Sequence, residues 1–263
     1  MKRALGVAVA ILLAVLAGGT VWYLRQAGPV AVEEPDVPDE DGWLDELYSQ
    51  NPRESEAAAA HVSRLGAKAL PAILTTLRDP GAEPERVKAA LKACGLLGPE
   101  AAPAIDDVAA KLPEPDVTAE AAIALSFLGR SAFAPLKDSL SSDDPVVRRE
   151  ALRSIGKLKD RAPLDGRAVV PLLIAGMEDE HEGVRAVGAT YLGIIHEGPQ
   201  EAVPALIAGL ADPDVEVRRA SAGALASFGA EATPAIPALR KAAGDKDETV
   251  AREAGRALMN LQK

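Results

Sequence analysis

One unit recurs seven times along this chain of 263 residues, and that repetition constrains the fold more than any other feature. Seven thirteen-residue blocks align without gaps, with starts that lie 32, 31, 30, 37, 33 and 33 residues apart. The blocks begin at Glu54, Arg86, Val117, Val147, Val184, Val217 and Val250. A second column keeps nearly the same stride and consists of Pro71, Pro103, Pro135, Pro171, Pro204 and Pro237. Two columns with one stride indicate a tandem repeat.

Each block has the pattern of an amphipathic helix. Counted from 0 at the first residue, positions 0, 4, 7, 8 and 11 are small or apolar and share one face of a helix with 3.6 residues per turn. We call this predicted helix B. The proline-bearing half before it is helix A, with its proline expected near the first turn. Four blocks end in glycine where a left-handed C-cap is expected: Gly66, Gly98, Gly129 and Gly229.

A hairpin of two such helices cannot bury its apolar face alone, so neighbouring hairpins must stack. Composition agrees, because 52 residues are alanine, the best helix former, and only eight are aromatic. The sequence therefore predicts an all-α, right-handed solenoid of about seven hairpins over residues 43–263. The single cysteine, Cys94, excludes an intramolecular disulfide and falls in an apolar column of helix B, so we expect it to be buried.

The first 25 residues have the character of a membrane segment. Ala4 to Leu24 is an uncharged, mostly apolar run of 21 residues, long enough to cross a bilayer as a helix. Lys2 and Arg3 precede it, so the positive-inside rule predicts a cytoplasmic N-terminus and an extracytoplasmic repeat domain. The alternative is a signal peptide cleaved after Ala17, which would leave a secreted or periplasmic protein. We therefore expect a single-pass anchor or signal over residues 1–25.

Charge is distributed unevenly along the chain. The formal net charge is −10, and residues 26–52 contain eight acids and no base. Residues 26–42 are rich in proline and acid without periodicity, which predicts an extended spacer. A mildly acidic repeat domain is a poor ligand for phosphate backbones, so we expect no nucleic-acid partner.

The turn between helices A and B carries a polar pattern. An Asp in the turn is followed by Val-Arg at the start of helix B, as in Asp212 with Val217-Arg218 and Asp179 with Val184-Arg185. The pattern resembles HEAT-repeat proteins, in particular the short bacterial HEAT-like repeats of the phycobilisome-lyase type. The resemblance implies a polar ladder that ties adjacent repeats through Asp143, Arg148, Asp179, Arg185, Asp212 and Arg218. The last unit departs from the pattern, since Asp245 is followed by Ala251-Arg252 instead of Val-Arg.

Positions 3, 6 and 10 of helix B should face away from the hairpin core, on the side that lines the concave groove of HEAT solenoids. Five apolar residues occupy such positions in units two, three and five: Leu96, Ile123, Phe127, Val187 and Ile194. Beside them, Arg149, Arg153 and Lys157 form a basic stripe with Arg148. We therefore hypothesise a groove in units two to five that binds an acidic or amphipathic peptide of a protein partner. The alternative is that these apolar residues belong to the core between repeats.

Candidate catalytic chemistry is sparse. His181-Glu182 and His196-Glu197 resemble the iron-binding His-Glu pairs of deoxyhypusine hydroxylase, but both lie in turns of a single unit. A metal site needs ligands that converge from several elements. The sequence therefore predicts a membrane-tethered, non-catalytic protein-interaction scaffold without a cofactor. The alternative is an enzyme on a HEAT scaffold, either a metal-dependent hydroxylase or a lyase.

Overall fold

The computed structural model describes residues 42–261, which form α-helices and 3₁₀ turns without a strand. The expected membrane or signal segment at 1–25 and almost all of the spacer at 26–42 lie outside the described residues. Within the described range, no helix is both long and apolar enough to cross a membrane.

Seven hairpins follow one another over the described range, as the repeat predicts. Helix A of the successive units is α1 (Gly42–Glu46), α3 (Leu70–Arg78), α5 (Ile105–Ala109), α7 (Phe133–Asp138), α9 (Gly166–Gly176), α11 (Pro199–Gly209) and α13 (Ile236–Ala242). Helix B is α2 (Pro52–Leu65), α4 (Pro84–Leu97), α6 (Thr118–Leu125), α8 (Pro145–Arg161), α10 (Glu182–Ile195), α12 (Val215–Phe228) and α14 (Glu248–Leu261). The predicted all-helical solenoid is confirmed.

Small residues let adjacent B helices approach closely. Each B helix from α4 onward contacts the next, whereas adjacent A helices touch much less. At the contact between α10 and α12, a Cβ added to Gly193 would lie 2.6 Å from the Cα of Ala224. Cys94 is fully buried and shares its column with the equally buried Leu125 and Ile155. The abundance of alanine and glycine thus serves the packing between repeats.

Helix A begins earlier in some units than the proline column predicts. Pro71 and Pro237 lie in the first turn of α3 and α13, as expected. Pro171 and Pro204 instead lie inside α9 and α11, where the prediction was wrong. In α9 the reason is the side chain of Asp165, which accepts a hydrogen bond from the Arg167 amide and starts the helix well before its proline.

The block-ending glycines have the expected positive φ but not the left-handed conformation. Gly66, Gly98 and Gly229 combine φ near 55° with ψ between −131° and −136°, a region open almost only to glycine. The chain continues from each of them into a 3₁₀ turn that leads to the next helix A. His196 holds the same block position and is left-handed, with φ 54° and ψ 32°.

Candidate functional site

Three bidentate ion pairs connect the last four units, and together they form the ladder. Arg185 on α10 donates from Nε and Nη2 to the carboxylate of Asp212 at 2.8 and 2.9 Å, and from Nη1 to the carbonyls of Asp179 and Glu180. The equivalent pairs are Arg148 with Asp179 and Arg218 with Asp245. Each arginine thus closes the turn of its own unit and binds the carboxylate of the following unit.

This direction changes two of the expected ladder residues. The Asp143 carboxylate has no guanidinium partner in the described part of the chain, and only its carbonyl accepts from Arg148. The reason is that the preceding unit places Thr118 where units four to six place arginine, and its hydroxyl donates to the Glu114 carbonyl. Asp245 is a full member because its partner comes from the unit before it, so the missing Val-Arg after it does not matter.

The paired ladder aspartates Asp179, Asp212 and Asp245 have pKa values below the ordinary value of the side chain. The guanidinium of Arg148 holds the pKa of Asp179 below its ordinary value against the opposing effect of burial. Asp179 also accepts a hydrogen bond from the His181 amide just before α10. The carboxylate therefore joins two units and orders the start of a helix at the same time.

The outward row of the B helices consists of positions 2, 6 and 10 of each block, not 3, 6 and 10 as predicted. Val187 and Glu150 at position 3 are only 7% and 6% exposed. For Val187 the prediction of an exposed partner-binding residue was wrong, because position 3 turns toward the neighbouring B helix. We call the row of positions 2, 6 and 10 in units two to seven the B face.

An apolar groove lies on the B face between α4 and α6. Leu96, Ile123 and Phe127 are 41%, 46% and 39% exposed and line a groove of about 330 Å³. Tyr48, which follows the short α1, closes one side of the groove. The ammonium of Lys92 lies 5.4 Å from the centroid of the Tyr48 ring. Three of the five predicted apolar residues thus come together in one groove.

Ile194 lies outside this groove. It is 52% exposed near the end of α10, two units further along the B face. It remains an exposed apolar residue without an assigned contact in the candidate site.

Arg161 is a site residue that the repeat alignment did not indicate. Its guanidinium lies 4.0 Å from the centroid of the Phe127 ring, and it donates to the hydroxyl of Ser126 at 2.9 Å. It belongs to the site because α8 has 17 residues and runs past the end of its block. The signal in the sequence was the 37-residue spacing from Val147 to Val184, the one long interval in the repeat.

The basic stripe on α8 divides into paired and unpaired cations. The buried carboxylate of Glu150 binds both Arg149 and Arg153 at 3.0 Å. Among the described residues, no carboxylate is in ion-pair distance of Lys157 or Arg161. Burial, together with the charges of Arg153 and Arg161, lowers the pKa of Lys157. Arg148 is committed to the ladder and does not belong to the exposed stripe.

The B face is basic although the chain as a whole is acidic. No acid occupies any of its positions in units two to seven, and the bases there are Lys88, Lys92, Arg149, Arg153, Lys157, Arg219, Arg252 and Arg256. Some of these bases are paired with acids that flank the row, such as Glu85, Glu216 and Glu253. Lys92, Lys157 and Arg252 have no carboxylate partner among the described residues. Only Lys157 has a second such cation, Arg161, on the same helix, next to the apolar groove.

The two histidines considered as metal ligands lie at opposite ends of α10. Nδ1 of His181 accepts from the Gly183 amide at the start of the helix, and His196 ends it. They are fifteen residues apart along the helix axis, which corresponds to about 22 Å. Within residues 42–261, no three potential metal ligands of the His, Cys, Asp or Glu type cluster together. The histidines of this unit therefore serve as helix caps.

The comparisons with known proteins agree with this architecture. A family described as HEAT repeats matches residues 133–212 and 170–259. No curated protein sequence matches the chain. Among solved structures, the complex of CpcE and CpcF of phycocyanin lyase from Nostoc sp. PCC7120 is 23% identical, with a TM-score of 0.50, and the match covers 59% of this chain and 98% of that one.

Two further structural likenesses come from artificial proteins. An engineered protein is 21% identical with a TM-score of 0.47, over 85% of this chain and 68% of that one. A designed armadillo repeat protein is 21% identical with a TM-score of 0.44, over 84% of this chain and 99% of that one. At these identities the likeness concerns the fold alone.

Proposed function

Since this chain is a HEAT-repeat protein, with the family match extending over residues 133–259, we propose that it is a non-catalytic scaffold that binds a protein partner. The observation that carries the proposal is the groove between α4 and α6, where three large apolar side chains are exposed together. Clustered apolar exposure beside polar residues is typical of interaction surfaces. The stacked repeats present this groove on neighbouring helices whose positions are set by packing.

We also propose that the scaffold is tethered to a membrane, with its repeats on the extracytoplasmic side. The support is the uncharged run from Ala4 to Leu24 behind Lys2 and Arg3. A reporter fused after Lys263 tests the orientation: alkaline phosphatase activity supports the proposal, whereas fluorescence of a cytoplasm-restricted reporter contradicts it. Carbonate extraction of membranes separates an anchored chain from a cleaved one.

The partner site is tested by photo-crosslinking. A photoreactive phenylalanine analogue at Ile123 should yield a discrete crosslinked protein in cells that express the full chain. The matched control is the same analogue at Ala208, an exposed position on α11 in the A layer. Equal crosslinking at the two positions, or none at Ile123, would contradict an interaction site on the B face.

A catalytic alternative receives less support from the site. A metal-dependent hydroxylase would require several metal ligands that converge, and a lyase would require a reactive group. Within the described residues, the exposed groove offers neither. Burial raises the pKa of the Cys94 thiol to about 12, so it is a poor nucleophile. The scaffold function is therefore the one that the geometry favours.

A further inference from the structure

The candidate site has two chemically different halves that share one residue. Phe127 forms a wall of the apolar groove, and the guanidinium of Arg161 lies over its ring. Beyond Arg161 lie Lys157 and the paired Arg153 on α8. An occupant that fills the groove and extends toward α8 therefore meets unpaired positive charge next.

The spacing of the two halves sets a distance within such an occupant. Packed helices are about 8–10 Å apart, so about 13–15 Å separates the middle of the groove from the outward side of α8, which carries Lys157, whereas the guanidinium of Arg161 reaches back to the Phe127 ring. An extended chain advances about 3.3 Å per residue, so that distance corresponds to about four residues. A linear peptide matches both halves only if its apolar and charged residues have this separation.

Resting on the proposed scaffold function, we propose that the B face binds a linear peptide segment with one large apolar side chain and, about four residues away, a pair of acidic side chains. The apolar side chain occupies the groove of Leu96, Ile123 and Phe127, and the acids bind Lys157 and Arg161. Charge complementarity carries the choice of an acidic occupant, because the B face has no acid at positions 2, 6 and 10 of units two to seven, and the one carboxylate that lines the groove, Glu120, belongs to the half that takes the apolar side chain.

A nucleic acid is the competing anionic occupant, and the distribution of charge disfavours it. Phosphate backbones require a track of unneutralised Lys and Arg residues. Here the carboxylate of Glu150 already binds two arginines of the stripe, and Glu85 and Glu216 bind Lys88 and Arg219. Of the B-face cations without a carboxylate partner in the described range, Lys92 and Arg252 lie on α4 and α14, whereas Lys157 lies beside Arg161 on α8. The adjacent groove is mostly apolar, although Glu120 also lines it, which suits a side chain better than a sugar-phosphate chain.

Fluorescence polarisation with the full chain in mild detergent tests the proposal. The probe is a labelled Gly/Ser peptide with one leucine followed, about four residues later, by two glutamates. Three peptide variants carry Gln in place of both Glu residues, Ala in place of Leu, or the Glu pair directly beside the Leu. We expect each variant to bind about tenfold more weakly than the probe, because each loses one half of the site or its register.

Two protein variants assign the charge recognition to α8. K157Q should weaken binding of the acidic probe about tenfold and leave the Gln peptide unchanged. Lys157 makes no hydrogen bond or ion pair with another described residue, so the variant is expected to fold. The matched control is R252Q, which removes an exposed charge of the same row three units away. It should bind the probe as the native chain does.

The outcomes separate this proposal from the scaffold function. Equal affinity for the acidic and Gln peptides, or an unchanged affinity in K157Q, overturns the acidic occupant. Tighter binding of a single-stranded oligonucleotide that competes with the probe overturns it in favour of nucleic acid. If Ile123 still crosslinks a protein in either case, the scaffold function stands and only the chemistry of its partner is wrong. If neither peptide binding nor crosslinking is seen, both proposals fail.

Discussion

The guanidinium of Arg161 lies 4.0 Å above the centre of the Phe127 ring and joins α8 to the turn that follows α6. The contact places a cation beside an exposed apolar groove and covers one face of Phe127, which is 39% exposed. It depends on the extension of α8 past its repeat block. An irregularity in the repeat thus builds a part of the candidate site that the regular units lack.

The Arg161–Phe127 contact is expected to be measurable as a coupling energy. A double-mutant cycle with R161M and F127L should give about 0.5–1 kcal/mol, the range of an exposed cation–π pair. Urea unfolding of the four proteins at pH 7 supplies the free energies of unfolding. A coupling indistinguishable from zero would show that the two side chains are merely adjacent.

Breaking one ladder pair should destabilise the array more than breaking a surface pair. Arg185 and Asp212 are 14% and 11% exposed, and R185Q leaves the carboxylate and two carbonyls without their donor. We expect a loss of about 2–3 kcal/mol, below the cost of breaking a fully buried pair. The control, R219Q, removes an exposed partner of Glu216 and should cost less than about 1 kcal/mol. Equal losses in the two variants would contradict a structural ladder.

The ladder also predicts a dependence of stability on acid. Asp179 has a lowered pKa in the folded state, so its contribution is present above the ordinary carboxyl pKa of about 3.9 and is lost as the pH falls through the lower folded-state value. In R148Q most of this contribution is already absent at pH 7, because Asp179 has lost its guanidinium partner. The difference in unfolding free energy between the native chain and R148Q should therefore shrink from pH 7 to pH 3. A difference that stays constant over this range would mean that the pair acts through packing alone.

Close approach of α10 and α12 makes Gly193 intolerant of a side chain. In G193A the new Cβ would lie 2.6 Å from the backbone of Ala224, which cannot move without shifting the whole helix. We expect a loss of about 1–3 kcal/mol from overpacking. In G255A on α14 nothing lies within 4 Å of the added Cβ, so higher helix propensity should stabilise the chain by up to about 1 kcal/mol. Thermal unfolding should therefore show a lower midpoint temperature for G193A and a higher one for G255A.

Cys94 should react only when the fold opens. Its thiol is fully buried, and burial raises its pKa to about 12. With Ellman's reagent at pH 8 we expect no release of thionitrobenzoate from the native protein and one equivalent in denaturant. Rapid stoichiometric labelling of the native protein would contradict the packing of helix B in the second unit.

Much of the fold could be predicted because it repeats. The same apolar positions recur at one stride, so each column supplied several independent signals for one structural role, as the buried Cys94 and Leu125 illustrate. The pairing of Asp with Arg was also predicted. Its direction was not, because Arg185 follows Asp179 by six residues and precedes Asp212 by 27, and only the stacking of units decides between them.

The site was less accessible to sequence reasoning. Successive residues of a helix differ by about 100° in direction, so whether position 2 or position 3 faces outward depends on how adjacent helices are rotated. Val187 was assigned to the wrong side for this reason. Arg161 lay outside every aligned block, so no column could indicate its role. Contacts made by irregular segments require coordinates.

Each ladder arginine reaches forward along the chain, so a unit has a complementary head and tail like the monomer of a polymer. Its aspartate accepts from the unit before it, and its arginine donates to the unit after it. Removal of the 33 residues 180–212 would join Asp179 to Pro213, with Arg148 still paired to Asp179 and Arg218 still paired to Asp245. The array can therefore gain or lose whole units without leaving a ladder charge unmatched. Asp143, whose carboxylate has no guanidinium donor among residues 42–261, marks where this exchangeable stretch begins.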